Sequence, residues 1–360
     1  MEKSLNPLIS IVIPVKKISN YLRKETIPAL LRQSYQNFEL IILPDKPIKE
    51  KFSKTKIIST WPKIGPADKR DIGAQKAKGT ILAFIDDDAY PDKDWLKNAI
   101  TIFKTSNERV SASGHASSSK RSISAVCGPG VTSPNDPFLA KISGWMWASF
   151  LGSGGAGQYR CWPGKRCEVD DFPTFNLIVK KSDFKKVGGF DSRFWPGEDT
   201  KLCHDLVYKL GKKIIYDPKV LVYHHRRKIF IPHLKQVGRY GLHRGFFTKI
   251  LPKTSKRIGY FLPLLFTAGV LLGPIAYLLF IILKFFLLAR IIVIIYLSVT
   301  GIYFLGLLAS GFWVFLKSKN LLAAILVMPT IFISHLFYGI MFFKGLTKKA
   351  VKSKFTRKAL

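Results

Sequence analysis

The sequence predicts an α/β domain with a mainly parallel sheet, followed by C-terminal transmembrane helices. Three observations carry this. Apolar, β-branched runs alternate with helically spaced segments over the first hundred residues, the order that builds parallel sheets. Those runs are apolar at successive positions rather than at every second one, as strands covered on both faces require. From Ile258 onward there is no Asp or Glu, and three uncharged runs follow one another, each longer than the roughly 20 residues that cross a hydrocarbon layer.

Taken in order, Leu8–Ile13 is the first strand, and Tyr21–Ser34 is a helix with Leu22, Ile27, Leu30 and Leu31 on one side. Phe38–Leu43 and Lys56–Ser59 are the second and third strands. Pro66–Lys78 is a helix closed by Gly79. Thr80–Ile85 is a fourth strand that runs into Asp86-Asp87-Asp88, and Asp92–Thr105 is the next helix. Arg109–Ser124 and the glycine-rich Phe150–Asp171 read as long loops, of the kind that usually bind or cover a site. Asp136–Leu151 is a helix between them. Thr174–Val179 is a strand, Glu198–Leu210 a helix, and Lys213–Tyr223 a strand pair turned at Asp217-Pro218. In such sheets ligands sit outside the carboxyl ends of the strands, which puts Pro14, Asp45 and Asp86–Asp88 on one rim.

These elements define a domain over residues 1–228. A basic, aromatic helix over 229–257 reads as lying on a membrane surface or as an ordinary solvated helix. Membrane segments follow at about 258–283, 291–316 and 321–343, then a basic tail at 344–360. The first run is interrupted by Pro263 and Gly273-Pro274 and is the candidate for a segment that re-enters, because seven Lys or Arg in the tail favour the inner side. No signal peptide opens the chain, so the expectation is a multi-pass cell-membrane protein with its first domain in the cytoplasm. The net charge of +34 favours polyanionic partners. No nucleic-acid reader motif accompanies it, so anionic lipid and phosphorylated small molecules are expected and nucleic acid is not. The four cysteines fit neither a zinc site nor a disulfide framework.

Three constellations carry chemistry. Asp86-Asp87-Asp88 either holds a divalent cation that bridges a diphosphate, since Mg²⁺ and Mn²⁺ take hard oxygen ligands, or caps the next helix. Glu198-Asp199 either caps a helix or supplies a general base for a sugar hydroxyl. His224 and His225, followed by Arg226, Arg227 and Lys228, either complete the metal site and hold a leaving diphosphate or form a basic surface. Trp195 fits a sugar platform or a core position.

At these residues the chain resembles family-2 glycosyltransferases of the GT-A fold, over Leu8 to roughly Gly245. Ser10–Pro14 is similar to their opening strand, and Gln33–Ile42 to the helix end and second strand. Lys69-Arg70-Asp71-Ile-Gly73 followed by Ala77–Asp88 is similar to the approach to their DxD motif. Asn176, Gly188–Asp191 and Glu198-Asp199 are similar to their acceptor-side block. Gln236-x-x-Arg239-Tyr240 is similar to the Gln-x-x-Arg-Trp motif of membrane-bound processive members, with Tyr in place of Trp. The resemblance implies an inverting, metal-dependent transfer of a sugar from a nucleotide-diphosphate sugar to a glycan or lipid-linked acceptor. It implies donor contacts from Pro14, Asp45, Arg70, Asp86 and Asp87, and a Mg²⁺ or Mn²⁺ ion on Asp86, Asp88 and His224. Asp199 would be the base, beside Glu198. Asn176, Trp195, Arg226, Gln236, Arg239 and Tyr240 would face the acceptor or the diphosphate. Transfer to a polyprenyl phosphate is the nearest alternative. A non-catalytic basic membrane protein that binds anionic polymer or lipid is the alternative of another class.

Overall fold

The structure, a computed structural model, describes residues 6–112, 121–155 and 157–350. In chain order its elements are β1 (Ile9–Pro14), a wide helical turn at Leu22–Thr26 leading into α1 (Ile27–Leu31), β2 (Phe38–Leu43), β3 (Thr55–Ile57), α2 (Pro66–Lys76), β4 (Ile81–Ile85), β5 (Ala89–Pro91), α3 (Trp95–Ala112), β6 (Ile123–Cys127), β7 (Gly130–Thr132), α4 (Phe138–Ala148), β8 (Cys167–Val169), β9 (Asn176–Lys180), α5 (Lys181–Lys186), α6 (Glu198–His204), β10 (Lys213–Tyr216), β11 (Val222–His224), α7 (Ile231–Ile250), α8 (Pro252–Ser255), α9 (Ile258–Ile282), α10 (Phe286–Ser318) and α11 (Leu321–Thr347). They form two compact units. One comprises Met1–Ser133 and Trp162–His225, the other Pro134–Cys161 and Arg226–Lys349.

The first unit is built on a sheet ordered β3-β2-β1-β4-β9-β6-β10-β8. β1 lies parallel to β2 and β4, β2 to β3, and β6 to β10, while β9 and β8 run antiparallel to their neighbours. Every residue of β1 and β4 is buried, which is why these segments read as apolar runs, with Ser10 the one polar residue between them. The shared direction of β1, β2 and β4 collects Pro14, Leu43 and Ile85 at one edge. Antiparallel β9 brings its first residue there too, with Asn176 paired to Ile85.

A second, three-stranded sheet has the order β5-β11-β7. It corrects the expected strand pair at Lys213–Tyr223, whose halves lie in different sheets. Both edges of β10 are already taken, by β6 and β8, so β11 cannot fold back on it. Instead Asp217 N–H bonds Cys127 O (2.9 Å) and Val220 N–H bonds Asp217 O (3.1 Å), which turns the chain towards β5 and β7. Gly128 permits this crossing: a Cβ there would stand 1.9 Å from Val220 O. The two expected loops are also shorter than the sequence implied. α3 continues to Ala112 and β6 starts at Ile123, while 113–120 lie outside the described residues. Within Phe150–Asp171, β8 supplies the last strand of the large sheet.

The second unit corrects the domain boundary. Pro134–Cys161, placed by sequence within 1–228, belongs with the C-terminal helices. The cause is α4, which offers apolar residues on more than one side. Ile142 and Met146 join a core with Ile229, Leu307, Val314, Val327 and Ile331, and Trp145 meets Trp313 edge-on at 5.8 Å. His233 ties α4, α7 and α11 together, since its ring nitrogens contact Ser143 Oγ (2.7 Å) and Ser334 Oγ (3.0 Å). Burial pushes this imidazole down to about 4, so it is neutral at physiological pH.

The basic helix α7 is packed on one side rather than solvated all round. Its Gly241 and Gly245 lie against α11, where added Cβ atoms would meet Tyr338 O at 2.7 Å and Phe342 O at 2.1 Å. Helices α9, α10 and α11, of 25, 33 and 27 residues, are long and apolar enough to cross a membrane. α9 is one continuous helix through Pro263 and Pro274, so the interruption expected from those residues does not occur. In an apolar medium neighbouring helices and hydroxyls can take up the polar groups that a proline leaves without helical partners.

Candidate active site

The carboxyl end of β4 opens into the acidic triplet. Asp86–Asp88 form the tight turn between β4 and β5, with Ala89 N–H bonded to Asp86 O (3.2 Å). Since α3 begins only at Trp95, none of the three caps a helix. Ser19 Oγ and Thr26 Oγ1 each donate to Asp87 O at 3.4 Å, which fixes the turn from the opposite side. Burial, and then the neighbouring Asp88 charge, raise the Asp87 carboxyl to about 6.

β11 delivers the histidines. His224 Nε2 lies 3.2 Å from Asp88 Oδ1, with its ring stacked on Phe175 at 5.0 Å. Asp86, Asp88 and His224 each offer one ligand atom, and these atoms lie within 4.8 Å of one another. Two carboxylates and one imidazole at this spacing fit a divalent cation. Successive side chains of a strand face opposite ways, so His225 turns elsewhere. It stacks on Tyr21 at 3.9 Å and reaches Glu25 Oε2 at 3.4 Å.

Arg70, from α2, joins the triplet to the Glu-Asp pair. Its Nη2 lies 2.9 Å from Asp86 Oδ1 and its Nη1 3.0 Å from Glu198 Oε1, with the guanidinium itself buried. Phe190 lies beneath it, 5.7 Å from ring centroid to Cζ. Burial raises the Glu198 carboxyl pKa, opposed by the Arg70 charge. Asp199 is half-buried in the first turn of α6, with Oδ1 accepting from Thr200 N–H (2.8 Å). Thr200 Oγ1 in turn donates to Asp171 Oδ1 (2.9 Å). The two acidic groups that the sequence singled out are thus the two partners of one buried cation.

Lys69, the neighbour of Arg70, was assigned no role from sequence. It is buried, contacts Asp45 Oδ1 at 2.5 Å and donates to Val15 O, so it anchors Asp45 at the rim beside Pro14. The sequence signal it carried was its place in the Lys69-Arg70-Asp71-Ile-Gly73 segment, which by itself gave it no role. Phe175, Tyr21 and Glu25, which orient the two histidines, were likewise missed, because only the folded sheet brings them near.

Asn176 sits at the rim but is fully buried. Its Oδ1 accepts from Trp95 Nε1 (2.8 Å), and its Nδ2 donates to Gly128 O and Val220 O (2.7 Å each). All of this binds the large sheet to the chain crossing, so its carboxamide is occupied by the fold. Trp195 is half-buried directly before α6. Arg226, Gln236, Arg239 and Tyr240 belong to the second unit. There Arg226 N–H bonds Asp136 Oδ2 (2.8 Å), Gln236 Nε2 lies 3.0 Å from Tyr240 Oη, and Tyr240 meets Trp147 at 5.9 Å.

A largely parallel sheet with an acidic triplet at the end of an inner strand is the architecture of the GT-A class. Residues 10–122 match the family model described as "Glycosyl transferase family 2", so this segment is similar to family-2 glycosyltransferases. An uncharacterised glycosyltransferase of Haemophilus influenzae is 35% identical over 119 residues, 30% of this chain and 47% of that protein. The glucosyl-dolichyl phosphate glucuronosyltransferase of Haloferax volcanii is 21% identical over 234 residues, 60% of this chain and 68% of that protein. The mannosyltransferase PcManGT of Pyrobaculum calidifontis, solved in complex with GDP-Man and Mn²⁺, shares the fold at a TM-score of 0.51 and 16% identity, over 96% of this chain and 89% of that one. This chain spans about half the length of the Haemophilus relative.

Proposed function

We propose that this chain is a membrane-anchored glycosyltransferase that moves a sugar from a nucleotide-diphosphate sugar to a glycan or lipid-linked acceptor, with inversion at the anomeric carbon. The observation that carries it is the buried Arg70 bridge between Asp86 and Glu198, beside the Asp86/Asp88/His224 cluster. The donor lies along the rim, with its base towards Asp45 and its phosphates towards Asp86–Asp88. Asp86, Asp88 and His224 hold Mg²⁺ or Mn²⁺; the imidazole favours Mn²⁺, which accepts nitrogen more readily than Mg²⁺ does. Such an ion neutralises the departing diphosphate.

The chain's own residues supply the rest. Arg70 fixes the Asp86 carboxylate and stabilises buried Glu198, so both stay in place while charge moves nearby. Asp199 accepts the proton of the attacking hydroxyl, and Trp195 offers a face to the acceptor sugar. Arg226, Gln236, Arg239 and Tyr240 are read as acceptor or diphosphate contacts on the resemblance alone. Support for a lipid environment comes from α9–α11, and for the donor class from the GDP-Man held by the Pyrobaculum neighbour.

The test is radiolabelled sugar transfer by membranes that contain the wild type, Asp88→Ala or Asp199→Asn, with and without EDTA. Each substitution is expected to lower transfer by about 100-fold or more, and EDTA to abolish it. Equal transfer by all three proteins would overturn the assignment of roles.

A further inference from the structure

Side-chain contacts fix how α9, α10 and α11 run past one another. α9 and α10 are antiparallel, since Phe266 stacks on Tyr303 at 4.0 Å while Gly273 faces the Tyr296 ring. α10 and α11 are antiparallel too, with Tyr303 Oη 2.9 Å from His335 Nδ1 and Gly311 against Ala324 and Met328. So are α9 and α11. Phe261 meets Phe342 edge-on at 4.9 Å, and Thr267 Oγ1 donates to His335 O (3.3 Å). Three helices cannot all be antiparallel to one another and all stand upright in a bilayer. Two of them must share a sense along any common axis. The obtuse angle between those two inclines at least one straight helix by more than about 45°, beyond the roughly 0–40° of membrane-spanning helices.

Charge identifies the inclined helix. α7 lies alongside α11 and runs the same way: His233 Nε2 contacts Ser334 Oγ (3.0 Å), Gly241 packs on Tyr338 and Met341, and Lys249 Nζ donates to Leu346 O (2.8 Å). α7 therefore begins level with the middle of the uncharged run Leu321–Phe343. It brings exposed Lys228, Lys235 and Arg239 with it. An upright α11 would draw these cations into hydrocarbon, where charge is costly. Asp136, the one carboxylate side chain in Pro134–Cys161 and Arg226–Lys349, cannot offset them all. α9 and α10 meet no such obstacle. Beyond Phe266 and Tyr303 they continue as a hairpin of about 25 Å, with Leu272, Ile275, Ile294 and Leu297 exposed along it and Lys284 and Arg290 exposed near its tip.

We infer that α9 and α10 alone cross the bilayer, as a hairpin, while α11 and α7 lie together along the leaflet from which α9 departs. The run that does not cross is then the third, not the proline-bearing first. Leu322, Ile325, Ile333, Ile340 and Phe343 are exposed along one side of α11. This stripe sinks into the acyl boundary, and the cations of α7 meet anionic headgroups. Two crossings return the chain to its starting side. The seven Lys or Arg of 344–360 then stay with Lys249, Lys253, Lys256 and Arg257, as basic segments prefer, whereas three crossings would export them. The inference is independent of the transferase reading.

The experiment places single cysteines in the full-length protein carrying Cys161→Ser and Cys167→Ser; Cys127 and Cys203 are buried. Lys284→Cys, Lys319→Cys and Lys348→Cys are labelled with a membrane-impermeant maleimide in intact cells and in inverted vesicles, and again in detergent to show that each thiol reacts. The expected result is that Lys284→Cys reacts from one side, and Lys319→Cys and Lys348→Cys both from the other. Reaction of Lys348→Cys from the Lys284 side would overturn the inference. A nitroxide on Ile333→Cys or Ile294→Cys then reports depth in phosphatidylcholine vesicles containing phosphatidylglycerol. Position 294 should lie deep and position 333 about 5–10 Å below the headgroups. An upright α11 would hold position 333 as deep as position 294, so equal depths would also refute the proposal. Protection of position 333 that is lost on dilution into lipid would give this face to a second copy of the chain and overturn its assignment to lipid. None of these readouts needs sugar transfer, so failure of the Asp88→Ala transfer test would leave them standing.

Discussion

Arg70→Gln is the perturbation that most directly tests the bridge at the centre of the site. The Arg70 and Glu198 side chains are each 6% exposed, and Asp86 is 31% exposed. Removing the guanidinium therefore strands Glu198 in the interior and costs about 3–5 kcal/mol, the range for breaking a buried pair. The contact with half-exposed Asp86 adds about 1 kcal/mol or less. Glu198→Gln alone leaves Arg70 its bond to Asp86 and an amide oxygen to replace the other, so its cost is about 1–2 kcal/mol. The double variant removes the stranded charge together with its partner. It should unfold at higher denaturant than Arg70→Gln, with a coupling energy of about 2 kcal/mol or more. The assay is denaturant unfolding of the purified full chain in detergent, followed by tryptophan fluorescence, with Trp95 fully buried in the same unit as a reporter. Additivity of the two single substitutions to within about 0.5 kcal/mol would show that the two side chains do not share a buried bond.

Two further outcomes follow from the same structure. Burial raises the Asp71 carboxyl from 3.8 to about 7, although its Oδ1 accepts a hydrogen bond from Phe190 N–H (3.0 Å). The folded state therefore holds this proton more tightly than the unfolded chain, and stability is lost as pH rises from about 4 to about 7. Asp71→Asn keeps an acceptor for Phe190 and removes that loss. It should be more stable than the wild type at pH 8, by at most about 4 kcal/mol, and indistinguishable below pH 4; a pH-independent difference would refute this. Asn176→Leu removes the buried hydrogen bonds that the carboxamide makes with Trp95 Nε1, Gly128 O and Val220 O. The expected cost is about 3 kcal/mol or more, measured by thermal unfolding, and a loss of transfer activity without a loss of stability would contradict a structural role for this carboxamide.

Much of this protein was legible in its residue order. Near-continuous apolar runs, interrupted by Ser10 in β1 and Glu39 in β2, pointed to β1, β2 and β4 as covered strands, and apolar runs of greater length pointed to α9–α11. The acidic triplet was legible because three carboxylates after an apolar strand demand an explanation. Local patterning determined those features, each within one segment. The tertiary structure decided what depends on residues far apart in the chain. It turned His224, and not His225, towards Asp86 and Asp88. It set β9 antiparallel, sent β11 to a separate sheet because β10 had no free edge, and moved α4 out of the first domain. It also committed Asn176 to the fold and made Arg70 the link between positions 86 and 198. Strand direction, edge occupancy and the pairing of buried charges are properties of neighbours in space, and sequence spacing carries no record of them.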